Sequence, residues 1–468
     1  MDRGNTVGDY QFGNIKSEMK QRAVILGAGE SGTGAALLAH VQGYDVFVSD
    51  QGTIKEKYKS ELASKAIAWE EGKHSEEKIL SADVIVKSPG IPEKAEIIKK
   101  AKAKNISIID EIEFAFQFLK GKVIAITGTN GKTTTTLLTY HLLKQAGLNV
   151  ALAGNVGESL AKKVATQSYN WYVVEMSSFQ LDGIKSFRPD IGILLNITPD
   201  HLDRYEYQLQ NYINSKFRLV QNMKPTDRFI YYSDDPVITK ETANRKFIPQ
   251  PLRISLKNQS CEAYYDGHEM RFSFDGNEFG VEQKDTTLKG SHNLINTMSA
   301  VAAARIAGVP VDSIRRGLKT FKNAPHRLES VGVINGIEFV NDSKATNVDS
   351  VVYALGSYTG PLVWIAGGID KGNDYKLIEE EVRKKVRTLI CLGKDNSKLH
   401  QAFDRVVKEV QETQSVKELV SMALQAAQKG DVVLLSPACA SFDLFKNYED
   451  RGNQFREAVA ELKKKVEC

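Results

Sequence analysis

The chain has 468 residues, 42% hydrophobic and 26% charged, which is ordinary globular composition and long enough for about three domains. Its 62 Lys and Arg against 58 Asp and Glu leave +4, too balanced for a dedicated nucleic-acid binder, so no nucleic-acid partner is expected. Cys261, Cys391, Cys439 and Cys468 lie far apart and form no CxxC pair, which argues against a zinc site or disulfide framework and for a reducing compartment.

No apolar run approaches the roughly 18 residues that span a bilayer, and the polar first 21 residues lack the apolar stretch of a signal peptide. The expected location is the cytoplasm, without membrane insertion. In chain order, Ala23–Leu26 is an apolar run ending in Gly27, and β-like runs recur at 45–50, 83–86 and 107–109 with helical segments between them. Strands alternating with helices predict parallel pairing with right-handed crossovers. A second such series opens at Val123–Thr127 and continues through 171–175 and 191–196. Residues 226–290 differ: alternation and Asp-Gly turns suggest antiparallel strands. A helix is expected at about 291–307, and strands of a third domain at 336–342, 362–366, 388–392 and 432–436. The expected fold is therefore α/β with three domains: a Rossmann-like domain over 1–119, a P-loop-like central domain over 120–324 with a small antiparallel portion, and a Rossmann-like domain over 325–468.

The most informative stretch is Thr127-Gly128-Thr129-Asn130-Gly131-Lys132-Thr133-Thr134, set between a strand and the helical run 134–145. Glycines there let backbone N–H groups converge on phosphate oxygens at a helix N-terminus, whose dipole also favours an anion. Lys132 would reach the β- and γ-phosphates, and the Thr133 hydroxyl would bind Mg²⁺. Ile126 stands where GxxxxGK[ST] has its first glycine. Read bare, the alternative is a glycine-rich turn before a lysine. TGTNGKT resembles the shared loop of the Mur ligases, ATP-dependent amide-bond-forming enzymes of peptidoglycan synthesis, and the related folylpolyglutamate synthases carry a similar loop.

Glu175 ends a strand at the rim where phosphates would sit, and Asn196–Tyr205 follows another strand. The bland readings are a surface carboxylate for Glu175 and a loop histidine for His201. The segments Glu175–Leu181 and Asn196–Asp203 are similar to the Mur ligase EMSSFQL and NxxxDHLD motifs, which implies Glu175 and His201 as Mg²⁺ ligands. Lys216, in the helical stretch 208–222, would otherwise read as a surface lysine. The resemblance aligns it with the lysine that several Mur ligases carbamylate, and a carbamate would be an anionic ligand for a second Mg²⁺. The modification needs a neutral amine and hence a depressed lysine pKa.

Gly290–Asn296 resembles the family's GxHNxxN segment, which implies Asn293 and Asn296 on the adenine side of ATP, although asparagine also caps helices well. Arg327, at the entry to the third domain, would close over the nucleotide. Asp342, in Asn341–Asn347, is implied to hold the ribose. With Gly128 to Thr134, these residues form the expected ATP site.

Gly27-Ala28-Gly29-Glu30-Ser31-Gly32 is a GxGxxG after a strand, with Asp50 closing the next strand, and alone it would predict a dinucleotide. A separate ATP loop and the lack of a hydride-transfer constellation argue against a dehydrogenase. In Mur ligases the first domain holds UDP-N-acetylmuramoyl substrates; the matching positions are Ser31, Gly32, Thr33, Asp50, Gln51, Ser88 and Gly90, with Asn155 added to the UDP-substrate set. Relatives often have a hydroxyl- or Arg-bearing residue where Gln51 and Gly52 stand. The segments Leu435–Asp443, Asn341–Asn347 and Gly367–Gly372 resemble the D-glutamate-adding branch of the family, and a DNPR-type motif for a diamino acid is absent. Lys344 and Lys371 with donors from Thr346 and Ser441 suit the two carboxylates of D-glutamate, and Phe442 and Tyr448 could wall the site. The alternative for these lysines is rim charge.

The implied reaction is ATP-dependent addition of D-glutamate to UDP-N-acetylmuramoyl-L-alanine through an acyl phosphate. It uses ATP, a pair of Mg²⁺ ions and carbamylated Lys216, with Lys132, Glu175, His201 and Lys216 as the catalytic set, in an enzyme expected to be monomeric. Competing readings are another Mur-type or folylpolyglutamate-type ligase, and a P-loop ATPase that switches conformation.

Overall fold

A computed structural model of the chain describes residues 20–467 apart from 93, 247 and 289; most of the polar leader, and Cys468, lie outside these. The described chain forms two compact units, residues up to Leu119 together with Ser159–Gln167, and Lys120–Glu158 together with Ser168 onward.

The first unit is built on five parallel strands in the spatial order Ala68–Glu71, Asp45–Asp50, Arg22–Leu26, Val84–Lys87 and Ser107–Asp110. The central strand is buried along Ala23–Leu26 because both faces of the sheet are covered. Val24 and Leu26 pack with Ile79, Ile85, Ile98 and Ala101 on one face. The helix Glu30–Val41 packs against the helices Glu111–Phe118 and Leu160–Thr166.

That last helix comes from the middle of the chain, and carboxylates hold it in the first unit. Ser159 N donates to Glu30 (3.3 Å), Ala161 N donates to Glu111 Oε1 (2.6 Å), and Lys162 pairs with Glu61 (2.9 Å). Gly34 permits the approach, since a Cβ there would stand 2.0 Å from Ser159 Oγ. Glu111 is fully buried with Oε2 unpartnered. Burial pushes its carboxyl up to about 7, against the two backbone N–H bonds that favour the charged form. Between the unfolded carboxylate pKa of about 4.3 and about 7 the folded chain holds a proton that the unfolded chain has released. Stability of this unit therefore falls as pH rises through that window and is flat above it. In Glu111→Gln the pH term is absent, so urea midpoints at pH 5 and pH 8 should differ less in the variant than in the parent.

The second unit holds two sheets. The first has nine strands in the order Asn277–Glu282, Glu269–Phe274, Ala263–Tyr265, Gln250–Ser255, Arg228–Tyr232, Ile191–Leu194, Lys122–Thr127, Trp171–Glu175 and Val150–Gly154. The antiparallel expectation for 226–290 holds for its last three strands only. Arg228–Tyr232 and Gln250–Ser255 continue the parallel sheet. An Asp275-Gly276 turn, with both residues at positive φ, closes the terminal hairpin as its sequence predicts. The helices Lys132–Gln145 and Ser291–Ile306 pack together over this sheet through Leu138, Leu142, Leu294 and Met298. The phosphate-loop helix begins at Lys132, two residues earlier than expected. The helix carrying Lys216 ends at Phe217 and continues as one 3-10 turn, Arg218–Val220.

The second sheet orders Glu329–Ile334, Ile337–Asn341, Val432–Leu435, Leu362–Ala366, Val386–Leu392 and Glu409–Thr413, parallel except at the first pair. Leu434 packs to one face while Val433 and Leu435 pack to the other, the two-sided burial that its continuous apolar run predicts. Among the described residues no helix is long and apolar enough to cross a membrane.

Candidate active site

Strand Lys122–Thr127 runs between Ile191–Leu194 and Trp171–Glu175, so Thr127, Leu194 and Glu175 end side by side at one edge of the sheet. The glycine loop leaves this edge. Gly131, at φ 84°, starts the following helix, and a Cβ there would stand 2.3 Å from Asn296 Oδ1. Asn196 clamps the loop: its Oδ1 accepts from Asn130 N (2.8 Å), its Nδ2 donates to Asn130 O (3.1 Å), and its carbonyl accepts from Thr129 N (3.0 Å). Lys132 folds back onto the carbonyls of Gly128 (2.8 Å) and Thr129 (2.7 Å). Burial depresses its pKa, with Arg327 adding to the effect and Glu175 opposing it. The Thr133 hydroxyl accepts from the Arg327 guanidinium (2.8 Å).

Glu175 is 1% exposed. Its Oε1 accepts from Asn155 Nδ2 (2.6 Å), while Oε2 has no partner. Asn155 belongs to the second unit, where its amide holds Glu175. Lys216 is also 1% exposed; its Nζ lies 3.5 Å from Thr127 Oγ1 and 4.7 Å from the Tyr212 ring centroid. Burial holds its pKa well below the ordinary lysine value, and Lys132 pushes the same way. A buried lysine of depressed pKa at the same sheet edge as an unpartnered carboxylate oxygen makes a donor set suited to a hard divalent cation once the amine carries a carbamate. His201 stands differently: its side chain is about half exposed, at positive φ, tilted against the Phe179 ring (5.1 Å) with Asp200 3.6 Å away. Among the described residues no three His, Cys, Asp or Glu side chains are grouped to hold a metal ion.

A cavity opens beside the loop, lined by Asn130, Gly131, Thr134 and Asn296 on one side and by Arg327, Asp342, Lys344 and Tyr353 on the other. Asn296 Nδ2 donates to Asn293 Oδ1 (3.0 Å), and Asn296 Oδ1 accepts from Thr135 (3.2 Å), so these asparagines line the cavity and brace the phosphate helix together. His292 and Tyr353 both line it and pack on each other, their ring centroids 5.3 Å apart and tilted at 47°, which gives the cavity an aromatic patch suited to a flat base. Asp342 accepts from Leu328 N (3.2 Å) and Ser436 Oγ (2.9 Å); burial lifts it to about 7. Sequence reasoning missed Tyr353 and Asn323, which carry no local motif. His292 lay inside a quoted motif without a role.

Lys344 reaches the same cavity with its Nζ 3.8 Å from the Tyr448 ring centroid; burial and the nearby Arg327 depress its pKa. Thr346 N donates to Lys344 O (2.9 Å). A two-way bridge between Ile369 and Ala440 brings the Lys371 turn beside Ser441 and Phe442. Ser441 is buried, Lys371 exposed, and Phe442 65% exposed. Arg451, which the sequence does not distinguish, is fully buried. It ties three loops together by donating to Ser343 Oγ and O (2.9 Å each) and to the carbonyls of Gly367 and Cys439 (3.3 Å).

In the first unit the second glycine-rich turn has the close packing its pattern predicts. A Cβ on Gly32 would stand 1.7 Å from Gly27 O. Asp50 accepts from Ala28 N (2.6 Å) and Gly52 N (2.8 Å), and Ser88 N donates to Leu26 O (2.9 Å). Thr33 Oγ1 donates to Ala28 O (3.3 Å). Ser31 lies in the first turn of the helix Glu30–Val41, and Gln51 and Gly90 lie in the turns that follow the strands Asp45–Asp50 and Val84–Lys87.

A parallel-sheet fold with a phosphate loop, a rim carboxylate and a buried lysine defines a nucleotide-dependent enzyme class, and family models identify it. The Mur ligase middle domain matches residues 126–304, the Mur ligase glutamate ligase domain 326–439, and the MurD-like N-terminal domain 21–110. The chain belongs to the Mur ligase family. It is 52% identical over 94% of its length to the whole UDP-N-acetylmuramoylalanine–D-glutamate ligase of Bacteroides fragilis. It is 53% identical over 95% of its length to the whole enzyme of that name from Cytophaga hutchinsonii. Among solved structures, UDP-N-acetylmuramate-alanine ligase MurC of Thermotoga maritima shares the fold at TM-score 0.61 and 17% identity, covering 94% of this chain and 100% of that one. MurF ligase of the same organism, solved in complex with ADP, gives TM-score 0.61 at 16% identity over 96% of this chain and 100% of its own.

Proposed function

We propose that this chain is an ATP-dependent ligase that adds D-glutamate to UDP-N-acetylmuramoyl-L-alanine in peptidoglycan precursor synthesis, acting in the cytoplasm as a monomer. The observation that carries the chemistry is the convergence of the Lys132 loop, the half-unpartnered Glu175 and the buried Lys216 at one sheet edge. Identity over nearly the whole length of relatives bearing that name supports the substrates.

A carboxylate cannot form an amide directly because oxide is a poor leaving group. The substrate's alanyl carboxylate attacks the γ-phosphorus of ATP, ADP leaves, and an acyl phosphate results. The amine of D-glutamate, having lost its proton, attacks the carbonyl carbon, and phosphate departs. Lys132 and Arg327, now held by loop carbonyls and Thr133, turn to the phosphates and stabilise the charge that develops there. Thr133, Glu175, His201 and carbamylated Lys216 would hold Mg²⁺, which would supply positive charge against the phosphates. His292, Asn293, Asn296 and Tyr353 receive the adenine side and Asp342 the ribose. Lys344, Thr346, Lys371, Ser441, Phe442 and Tyr448 receive D-glutamate, with Arg451 holding their loops in register. Ser31, Gly32, Thr33, Asp50, Gln51, Ser88 and Gly90 serve the UDP substrate. The working domains are 1–119, 120–324 and 325–468.

Phosphate release tests this reading. With ATP and Mg²⁺ present, release is expected only when UDP-N-acetylmuramoyl-L-alanine and D-glutamate are both added. Turnover without the muramoyl substrate, or with a folate and glutamate instead, overturns it.

A further inference from the structure

The segment between the helix Val311–Thr320 and the strand Glu329–Ile334 joins the two sheets of the second unit and carries Arg327. Two non-glycine residues there, His326 at φ 63° and Leu328 at φ 47°, lie in the left-handed region on either side of Arg327. Such residues persist only where neighbours over-determine the backbone. On the side of the second sheet the restraints are plain. The buried His326 meets Asn341 Nδ2 (3.0 Å), Leu328 N donates to Asp342 (3.2 Å), and Lys344 N donates to His326 O (3.2 Å).

Towards the phosphate loop one side chain does comparable service. Asn323 Oδ1 accepts from Thr134 Oγ1 (3.2 Å) and from Ala324 N (2.9 Å), while its Nδ2 donates to Arg327 O (3.3 Å). Arg327 in turn donates to Thr133 Oγ1 (2.8 Å). The result is a closed ring: Thr133 and Thr134 on the first turn of the phosphate helix, Asn323, the Arg327 backbone, and the Arg327 guanidinium back to Thr133. Asn323, Thr134 and Arg327 all line the cavity.

We propose that Asn323 is a positioning residue for the nucleotide site: its amide fixes the Arg327 backbone to the first turn of the phosphate helix, so that the guanidinium pivots from Thr133 onto bound nucleotide phosphate about an anchored point. The guanidinium must leave Thr133 for that hydroxyl to serve a cation. A tethered backbone lets it do so without releasing the linker, which lowers the ordering cost of binding. This inference rests on the ligase reading for the identity of the nucleotide, but not for the second substrate.

The test is calorimetric titration of ADP with Mg²⁺ into the full chain and its Asn323→Ala, Arg327→Ala and double variants, with thermal melts of each. Asn323→Ala is expected to bind about tenfold more weakly, as loss of a hydrogen-bonded link implies, with an unchanged melt. The double variant should bind no more weakly than Arg327→Ala within about twofold, because Asn323 acts through Arg327. In turnover, KM for ATP should rise while KM for D-glutamate stays. Parental affinity in Asn323→Ala, or losses that multiply in the double variant, overturns the proposal. If Asn323→Ala melts early, Asn323→Ser, a neutral change that removes the amide donor to the Arg327 carbonyl, is compared with Arg327→Ala in the same way and decides. A parent chain that binds ADP yet fails to couple D-glutamate refutes the ligase reading and leaves this one standing.

Discussion

Lys216→Ala is expected to lower ligation at least about 100-fold, the scale on which losing a group that holds or orients a metal acts, and millimolar formate or acetate should restore part of it. Lys216 is 1% exposed, and its described contacts are the Thr127 hydroxyl and the Tyr212 ring. Burial keeps its amine from holding a proton tightly, and the neighbouring Lys132 reinforces this. The unprotonated form of the amine adds to carbon dioxide, forming an N–C bond and releasing one proton, and the side chain becomes an anion at the same sheet edge as Glu175. Alanine removes both the carbamate and a fully buried side chain, so some stability is lost as well. Rescue separates the two effects, because a small carboxylate replaces the anion and not the packing. Activity that survives the substitution, or a loss that no carboxylate relieves in a folded variant, rules out the carbamate.

Glu175→Gln is expected to lower turnover by a similar factor, at least about 100-fold, while leaving the thermal midpoint in place or raising it. The parent buries a carboxylate with one oxygen held by Asn155 and the other unpartnered. A carboxylate with one unpartnered oxygen costs more to desolvate than an amide of the same shape. Glutamine keeps the acceptor for Asn155 and removes the charge that a cation needs. A site that trades stability for chemistry shows this divergence of the two readouts. Full activity in Glu175→Gln, measured by phosphate release, would remove Glu175 from the reaction. Loss of activity together with an early melt would make its role structural.

Much of this site is legible in the residues alone. The glycine loop can be read because phosphate binding needs backbone N–H groups at a helix N-terminus, which confines glycine, lysine and threonine to a short fixed spacing. Glu175 can be read as a rim residue because it ends an apolar run. The alternating Ala263–Glu282 stretch announces a hairpin through its Asp-Gly turn. The neighbouring strands Arg228–Tyr232 and Gln250–Ser255 are not legible as parallel, since pairing direction depends on the connection between them and on which neighbour is free. The helix Leu160–Thr166 cannot be assigned to the first unit either. Its placement rests on Glu30, Glu111 and Gly34, residues more than 45 positions upstream. His201 shows the reverse: its motif is clear, yet its side chain turns outward against Phe179.

The sequence by itself determined the class of chemistry and the alternation of strands and helices, because both depend on local spacing: of glycines around a phosphate, and of apolar runs along a sheet. Only the tertiary structure decided that Lys216 is buried with its pKa depressed, that Glu175 keeps one oxygen free, and that Asn323 and Arg451 tie distant loops together. Burial and pairing are set by residues far away in the chain, and desolvation has no signature in the residue that undergoes it.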